Sequence, residues 1–254
     1  MFHTVAFSMA ITSTNLGGLV TPVVDQTVTI SGNNLQVPQQ TPQLFGAASF
    51  AQASATGSIV QLQSPSLREV FFPSFSPQVE AASFAGYPNL IEMFDNPIPL
   101  EVNEGLNWYT DQAIAAPTGS VGGVVFLSDG SRKPVMGQRI YTARCTAAIT
   151  QAANTWVNGA MTFNQTLPVG NYDVVGMRAE ATGLYAARLI FVGPSAIVRP
   201  GCPGVAANTD LQQPEFRNGK LGVWGSFYSL TPPSLEVLGA TGTTQVVYLD
   251  LVPR

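Results

Sequence analysis

Ionisable side chains are scarce in this chain. Of its 254 residues, 26 are Asp, Glu, Lys or Arg, which is 10%, whereas a soluble domain usually carries about 25%. A folded monomer of this mass exposes roughly 11,000 Å² of surface, so each charge serves roughly 400 Å². A bare surface of this kind is poorly soluble. We therefore expect neighbouring subunits to cover much of it.

The sign and distribution of the charges argue against nucleic-acid binding. The net charge is −4, and the two lysines, Lys133 and Lys220, lie far apart in the sequence. Nucleic-acid binding needs several cations on one face to neutralise phosphates, and no cluster of Lys or Arg occurs. The sequence therefore predicts no direct, sequence-specific binding of nucleic acid.

The first 67 residues contain a single charged side chain, Asp25. Two interpretations fit this stretch: an N-terminal arm over residues 1–20 that passes between subunits or rests on an inner surface, or a set of buried strands. The N-terminus has no basic region, so we expect no secretory signal. The longest apolar runs are far too short to span a bilayer.

Short alternating segments between glycines and prolines predict an all-β fold. The chain has 24 Gly and 19 Pro, spread along its length, as in sandwiches and barrels of many short strands. In the last segment, Val247, Leu249 and Leu251 lie on one face and Thr244 and Asp250 on the other, the period of a half-buried strand. Strands are predicted over Gln26–Ile30, Ser58–Gln63, Val121–Leu127, Gln138–Ala147, Tyr172–Arg178, Leu184–Val192, Lys220–Ser229 and Thr244–Leu251. Turns are predicted at Asp129-Gly130, Asn158-Gly159, Val169–Asn171, Asn218-Gly219 and Gly239–Gly242.

Helix is predicted only in short pieces. Ser64–Glu69 has Pro65 in its first turn and a capping-box pattern at Ser66 and Glu69. Gln78–Ala85 and Ala147–Val157 are weaker candidates. No βαβ alternation occurs, so a parallel α/β sheet is not expected.

The length allows two β domains of similar size. A Gly- and Ala-rich segment over residues 115–123 lies near the midpoint, and each half is long enough for an eight-stranded jelly roll of roughly 100 residues. We expect two antiparallel β-sandwich jelly rolls with few short helices: an arm at 1–20, a first jelly roll at 21–116 and a second at 117–254.

The residues that carry most enzyme chemistry are missing. His3 is the only histidine and lies in the expected arm, which argues against catalytic triads and histidine-rich zinc sites. Cys145 and Cys202 lack metal spacing; one disulfide or two buried free thiols both fit, the second better. We therefore predict no enzyme activity, no catalytic residues, no metal and no cofactor.

Three further groups have a functional and a structural interpretation. Four carboxylates could converge as in a glycosidase, although solvated loop charges explain them better: Asp95, Glu101, Glu104 and Asp111. Three tryptophans could stack sugars but more often anchor cores or interfaces: Trp108, Trp156 and Trp224. Three arginines in strand patterns either face outward or pair with acids such as Asp173 or Glu180 of another subunit: Arg144, Arg178 and Arg188.

A stretch of the C-terminal half resembles a known family. Residues 164–178, NQTLPVGNYDVVGMR, continue to Ala187–Gly193, an Arg199-Pro200-Gly201 loop and closing strands around Trp224 and Tyr248. Over about residues 120–254 this pattern looks like the C-terminal half of major capsid proteins from small icosahedral, often lipid-containing, bacteriophages. They belong to the double jelly-roll lineage shared with tectiviruses, corticoviruses and adenoviruses.

The resemblance implies a structural capsid protein without catalytic residues. Such proteins form homotrimers whose six jelly rolls make a pseudo-hexagonal tile of an icosahedral shell, assembled in the host cytoplasm. Their partners are other copies, penton or minor capsid proteins and, in several members, an internal membrane. Two alternatives remain: a carbohydrate-binding or adhesin-type β-sandwich such as a virion spike, and a capsid protein with one jelly roll.

Overall fold

The computed structural model of the chain describes eleven ranges: 2–11, 17–52, 59–70, 74–75, 78–80, 89–111, 119–136, 139–192, 198–205, 213–240 and 242–254. Within them the only α-helix is α1, Pro65–Val70, and Pro214–Phe216 forms a 3₁₀ turn. The first half holds twelve strands: β1 Phe2–Ile11, β2 Gly17–Val20, β3 Thr29–Ser31, β4 Asn34–Gln36, β5 Gln43–Gln52, β6 Ile59–Gln63, β7 Ser74–Phe75, β8 Gln78–Glu80, β9 Asn89–Glu92, β10 Ile98–Pro99, β11 Gly105–Asp111 and β12 Gly119–Ser128. The second half holds nine: β13 Tyr141–Ala147, β14 Val157–Gly159, β15 Thr162–Phe163, β16 Asn171–Glu180, β17 Leu184–Ile190, β18 Gly201–Val205, β19 Gly225–Tyr228, β20 Ser234–Gly239 and β21 Gln245–Pro253.

The strands of the first half form two sheets with jelly-roll order. Sheet I runs β1-β12-β5-β9, with β8 and β10 also on β5; sheet II runs β2-β11-β6-β7, with β3 and β4 extending it from β11. If the eight principal strands are numbered along the chain, these orders are 1-8-3-6 and 2-7-4-5. That is the arrangement of the two Greek keys of a jelly roll.

The second half repeats the same order. Sheet III runs β13-β21-β16-β19, and sheet IV runs β14-β20-β17-β18. A short parallel pairing of β18 with β16 joins the two into one curled sheet. The expected all-β fold with antiparallel sandwiches is confirmed, and the strand order gives two jelly rolls rather than one.

Strand pairing differs from the expected division of the chain in two places. Residues 2–11, expected in an arm, form β1, which pairs along its whole length with β12. Strand β12 in turn pairs with β5, so residues 119–128 complete the first jelly roll. The glycines here serve close packing: a Cβ on Gly122 would lie 1.9 Å from the Phe7 carbonyl oxygen, and one on Gly123 would lie 2.0 Å from the Trp108 ring. The strands therefore change from one jelly roll to the other between 129 and 140.

Sheet I is buried on both faces. Along β1, Val5 and Phe7 enter the core of the first jelly roll, while Phe2 and Ala6 enter a second core. The same alternation occurs along β12, where Val125 faces the first core and Phe126 the second. The second core also contains the interior of the second jelly roll, so the two halves share it. A strand covered on both sides has no place for charge, which explains why β1 and β5 contain no charged residue.

The two jelly rolls stand side by side with equivalent ends together. Near the end of β5, the Phe50 ring stacks on Tyr185, at the start of β17, with centroids 4.1 Å apart. Near the start of β1, His3 accepts a hydrogen bond from the backbone of Arg199, just before β18. In a jelly roll the third strand ends at the end of the sandwich where the fourth strand begins, and the first and fifth strands both begin at the opposite end. Strands β1 and β5 are the first and third strands of the first jelly roll, and β17 and β18 are the fourth and fifth of the second. Both contacts therefore join equivalent ends of the two jelly rolls.

Several local predictions are corrected by the structure. Ala147–Val157 is not a helix, because the Gln245 side chain holds the backbone N–H and C=O of Ile149 and so fixes an extended segment. Asn158-Gly159 is not a turn but part of β14, paired with β20. Residues 78–80 form β8 instead of helix, and 81–85 lie outside the described residues. The strand expected over Lys220–Ser229 is limited to β19.

The helix at residue 65 is confirmed, but its cap is different. The Ser64 hydroxyl accepts a hydrogen bond from the Leu67 N–H and caps α1. Ser66, expected in a capping box, instead donates its hydroxyl and its N–H to the Glu104 carboxylate. The Glu69 side chain lies outside the described part of the chain.

The close approach of Gly123 to Trp108 gives a direct test of the first core. We expect Gly123→Ala to lower the free energy of unfolding by about 1–3 kcal/mol, because the new methyl group overlaps a fully buried ring. Gly170→Ala is the matched control, since no atom lies within 4 Å of the added methyl group. Chemical denaturation measures both; equal effects would contradict the packing described.

Candidate functional site

A buried cluster of charged groups joins the two jelly rolls. The junction cluster consists of His3 and Asp25 from the first jelly roll and Arg188, Arg199 and Glu236 from the second. His3 lies on β1, Asp25 follows β2, and the other three lie on or next to sheet IV. At this contact the cores alone would not fix the register of one sheet against the other, whereas directional ion pairs do.

Arg188 is the centre of the cluster and is fully buried. Its Nε donates to Glu236 Oε2 at 2.7 Å, and its Nη2 lies 2.8 Å from Asp25 Oδ2. Its Nη1 donates to the Thr4 carbonyl oxygen at 2.8 Å. The guanidinium carbon lies 4.1 Å from the centre of the Trp156 ring, within cation–π range. All three nitrogens of the Arg188 guanidinium therefore have partners: Nε in the second jelly roll, and Nη1 and Nη2 in the first.

Arg199 and Glu236 extend the network on the second jelly roll. Arg199 Nη1 donates to both carboxylate oxygens of Glu236, at 2.7 and 2.8 Å. The backbone N–H of Thr4 also donates to the Arg199 carbonyl oxygen at 2.9 Å. The cluster therefore contains two cations and two anions, and its formal charge is zero while His3 is neutral.

The contacts of His3 identify its neutral tautomer. Its Nδ1 accepts from the Arg199 N–H at 2.9 Å. Its Nε2 lies 3.0 Å from the hydroxyl of Thr27, which itself donates to Asp25 Oδ1. Since that hydroxyl proton is committed to Asp25, the oxygen accepts from His3, and the proton of the ring is on Nε2.

Burial and charge shift the pKa values of the cluster. Burial, together with the nearby Arg188 charge, lowers the pKa of His3 to about 3. Burial alone would raise the pKa of Asp25, but the Arg188 charge and hydrogen bonds from Thr27 outweigh it and lower that pKa below its ordinary value. At neutral pH the cluster therefore holds His3 uncharged and Asp25 ionised.

The other residues considered from sequence do not converge on a catalytic site. Glu104 binds Ser66, and Asp95 pairs with Arg132 at 3.2 Å, so these two acids have separate partners. Glu101 is exposed, and the Asp111 side chain is outside the described residues. The three tryptophans Trp108, Trp156 and Trp224 are all buried and offer no sugar-stacking platform.

The two cysteines are buried, two of the three arginines form ion pairs within the chain, and the third is exposed. Cys145 and Cys202 are buried free thiols, and burial raises the pKa of each to about 12. Arg188 pairs within the chain, and so does Arg178, whose Nη1 lies 2.8 Å from Glu180 Oε2. Arg144 is exposed on β13. Among the described residues, no group of three or more His, Cys, Asp and Glu side chains lies together as a metal site requires.

The junction cluster was not predicted from the sequence, because its residues lie far apart in the chain. Asp25 was visible as the lone charge of the first 67 residues, and Arg188 as a charge within an apolar strand. Only the fold shows that they form one ion pair, although they lie 163 positions apart in the chain. His3, expected in an arm, is instead buried between the jelly rolls.

Comparisons with known proteins returned no match to a family model, to a curated protein or to a solved structure. No helix in the described ranges is both long and apolar enough to cross a bilayer.

Removing the central arginine should strongly destabilise the chain. Arg188→Met removes a buried positive charge that pairs with the carboxylates of Asp25 and Glu236. We expect the free energy of unfolding to fall by about 3–5 kcal/mol. Arg254→Met is the control, because the Arg254 side chain is 61% exposed and lies 3.5 Å from Asp173; it should cost at most about 1 kcal/mol. Similar losses in urea denaturation would contradict the role of Arg188.

Acid should weaken the fold through His3. Its pKa is about 3 when folded and 6.5 when unfolded, so the unfolded chain binds a proton first and stability falls as pH drops from 6.5 towards 3. Between pH 6.5 and pH 4 this amounts to about 3 kcal/mol, at about 1.4 kcal/mol per pKa unit. His3→Gln should flatten the stability profile in that window, measured by urea denaturation at each pH. An unchanged slope would show that His3 does not titrate there.

Proposed function

We propose that this protein is a structural major capsid protein that assembles as trimers into an icosahedral shell. The observation that carries the proposal is the pairing of two jelly rolls, side by side and with like ends together, under a surface with few charges. Jelly rolls occur in viral capsids but also in lectins and cupins, and a fold alone does not assign a function. The surface is therefore what favours the capsid function.

The folded surface is poorer in charge than the composition indicates. At least six of the 26 charged residues are buried: Asp173, Arg178, Arg188, Arg199, Glu236 and Asp250. At most 20 then serve 10,585 Å² of surface, or one per about 530 Å². Ordinary composition gives one per roughly 170 Å². Contact with other copies is the simplest way for such a surface to avoid water.

Exposed apolar side chains add to this argument. Val24, Val169, Val192 and Leu230 are each at least 70% exposed. All four lie on connections at the same end of their jelly rolls, the end at which β1 and β18 begin. In this proposal a neighbouring copy covers that end of the molecule and removes these side chains from water.

In this proposal the buried and surface charges have different tasks. The junction cluster fixes the angle between the two jelly rolls, so that each subunit presents a rigid two-part tile. The uncharged flanks bury against neighbouring copies, and the few surface charges maintain solubility before assembly. The protein then belongs in the virion shell, with other copies and penton or minor capsid proteins as its partners.

Sedimentation velocity of the purified protein, combined with negative-stain imaging, tests the proposal. We expect trimers or closed shells over a wide range of concentrations. A species that remains monomeric from dilute to concentrated solution would contradict it. Binding of glycans by that monomer would instead support the adhesin alternative.

A further inference from the structure

A pocket opens on the outer face of sheet II, where three segments of the first jelly roll meet. The β3–β4 hairpin, the start of β11 and the start of α1 surround it, and its volume is about 330 Å³. Small-molecule sites in proteins begin at roughly this size. Its polar lining consists of four amides and one hydroxyl, from Asn34, Gln36, Asn103, Asn107 and Ser31. We call it the amide pocket.

Strand alternation places these amides on the outer face of the sheet. Leu35 of β4 and Leu106 of β11 are paired in register and are fully buried in the first core. Their neighbours along the two strands therefore point away from that core. These neighbours are Gln36 on β4, and Gly105 and Asn107 on β11.

Gly105 keeps the pocket open, and backbone hydrogen bonds fix its rim. A Cβ at position 105 would lie 3.1 Å from Asn34 Oδ1, so any other residue would begin to fill the space. At the rim, the N–H of Asn103 donates to the Val37 carbonyl oxygen at 3.0 Å. The N–H of Val37 in turn donates to the Glu104 carbonyl oxygen at 3.0 Å. The pocket is therefore preformed, and a ligand does not have to order it.

The amides of the pocket have hydrogen-bonding capacity that the chain does not use. Asn34 donates from Nδ2 to the Ser31 carbonyl oxygen at 3.1 Å, which leaves its Oδ1 as an acceptor. Within the described part of the chain, the side chains of Gln36 and Asn103 have no hydrogen-bond partner. The Oδ1 of Asn107 is buried without a partner, a state that costs free energy until a donor reaches the amide. A ligand that both donates and accepts hydrogen bonds would use this capacity.

The absence of charge in the lining narrows the class of ligand. None of the described residues that line the pocket is ionic, and the adjacent Glu104 carboxylate accepts hydrogen bonds from Ser66 instead. A charged ligand would find no opposite charge in the lining to pair with. An apolar ligand would cover the amides without giving them partners. Saccharide hydroxyls donate and accept as amides do, so a neutral saccharide matches this lining best.

We propose that the amide pocket binds a neutral saccharide, through hydrogen bonds between its amides and the sugar hydroxyls. The inference goes beyond the proposed capsid function, because it gives the subunit an attachment site. No aromatic ring is among the described lining residues, so a single site binds weakly. An assembled shell presents many copies of the site, and linked weak sites bind a surface that carries many saccharides far more tightly than one site does.

Saturation-transfer NMR and isothermal titration of the purified full chain test the ligand class. The neutral probes are maltotriose, mannotriose, galactotriose and N-acetylated chitotriose, and trigalacturonic acid is the charged counterpart of galactotriose. At least one neutral probe should bind, and trigalacturonic acid should not. Failure of all the neutral probes to bind would overturn the proposal. Binding of trigalacturonic acid more tightly than of every neutral probe would overturn it as well.

Two substitutions test whether the saccharide binds in the amide pocket. Gln36→Ala removes one amide, and Gly105→Ala adds a methyl group that narrows the pocket; circular dichroism checks both folds. Each should weaken binding about threefold to tenfold, the effect of losing one hydrogen bond. Gln40→Ala is the matched control, because Gln40 is an exposed amide outside the lining; it should bind as the wild type does.

The outcomes separate this site from the capsid proposal. Unchanged binding in both pocket variants, or an equal loss in the control, would overturn the site. Trimers by sedimentation that bind none of the neutral probes would overturn the site and leave the capsid proposal standing. Monomers that bind a neutral probe through the pocket would support the site and contradict the capsid function.

Discussion

The structure depends on one sheet that has no solvent face. Sheet I supplies half of the core of the first jelly roll and, with its opposite face, part of the core of the second. Burial of Phe2, Phe45, Phe50 and Phe126 on that second face stabilises both halves at once, at roughly 1.5–3 kcal/mol for each fully buried large apolar side chain. The halves are therefore not independent domains joined by a linker. Their relative position is part of the fold.

The junction cluster adds direction to this apolar contact. Apolar packing is non-directional, and buried ion pairs contribute little net stability when compared with well-packed apolar residues. Their contribution here is geometric, because Arg188 reaches its three oxygen partners only in one arrangement of sheet I against sheet IV. The cluster also explains why so few charges remain outside: the chain uses several of its scarce ionic groups to fix its two halves.

Much of the fold could be predicted from residue patterns. Period-2 alternation located β6 and β21, and short runs between turn signals located β12, β16 and β17, because each has at least one face in a core. Short-range capping located α1. The same reasoning could not assign strands to sheets, since jelly-roll pairing joins residues as distant as Phe2 and Ser128. The sequence placed Gly122 and Gly123 at a domain boundary, because it does not show that a backbone carbonyl and an indole ring occupy the space of their side chains.

The candidate site was predictable only in outline. The scarcity of charge indicated self-association, and it still carries the functional proposal. The tautomer of His3, the partners of Arg188 and the covered position of Asp250 depend on contacts between segments far apart in the chain. Asp250 illustrates the limit: its alternation places it correctly on the outer face of β21, yet Arg217 and Asn218 cover it completely.

A single-particle density map of the assembled oligomer is the most direct measurement of the account. The capsid proposal predicts trimers of six jelly rolls, with the two jelly rolls of each chain held against each other through sheet I and the junction cluster. A map of isolated monomers, or an oligomer in which the two jelly rolls of one chain are separated, would contradict the account.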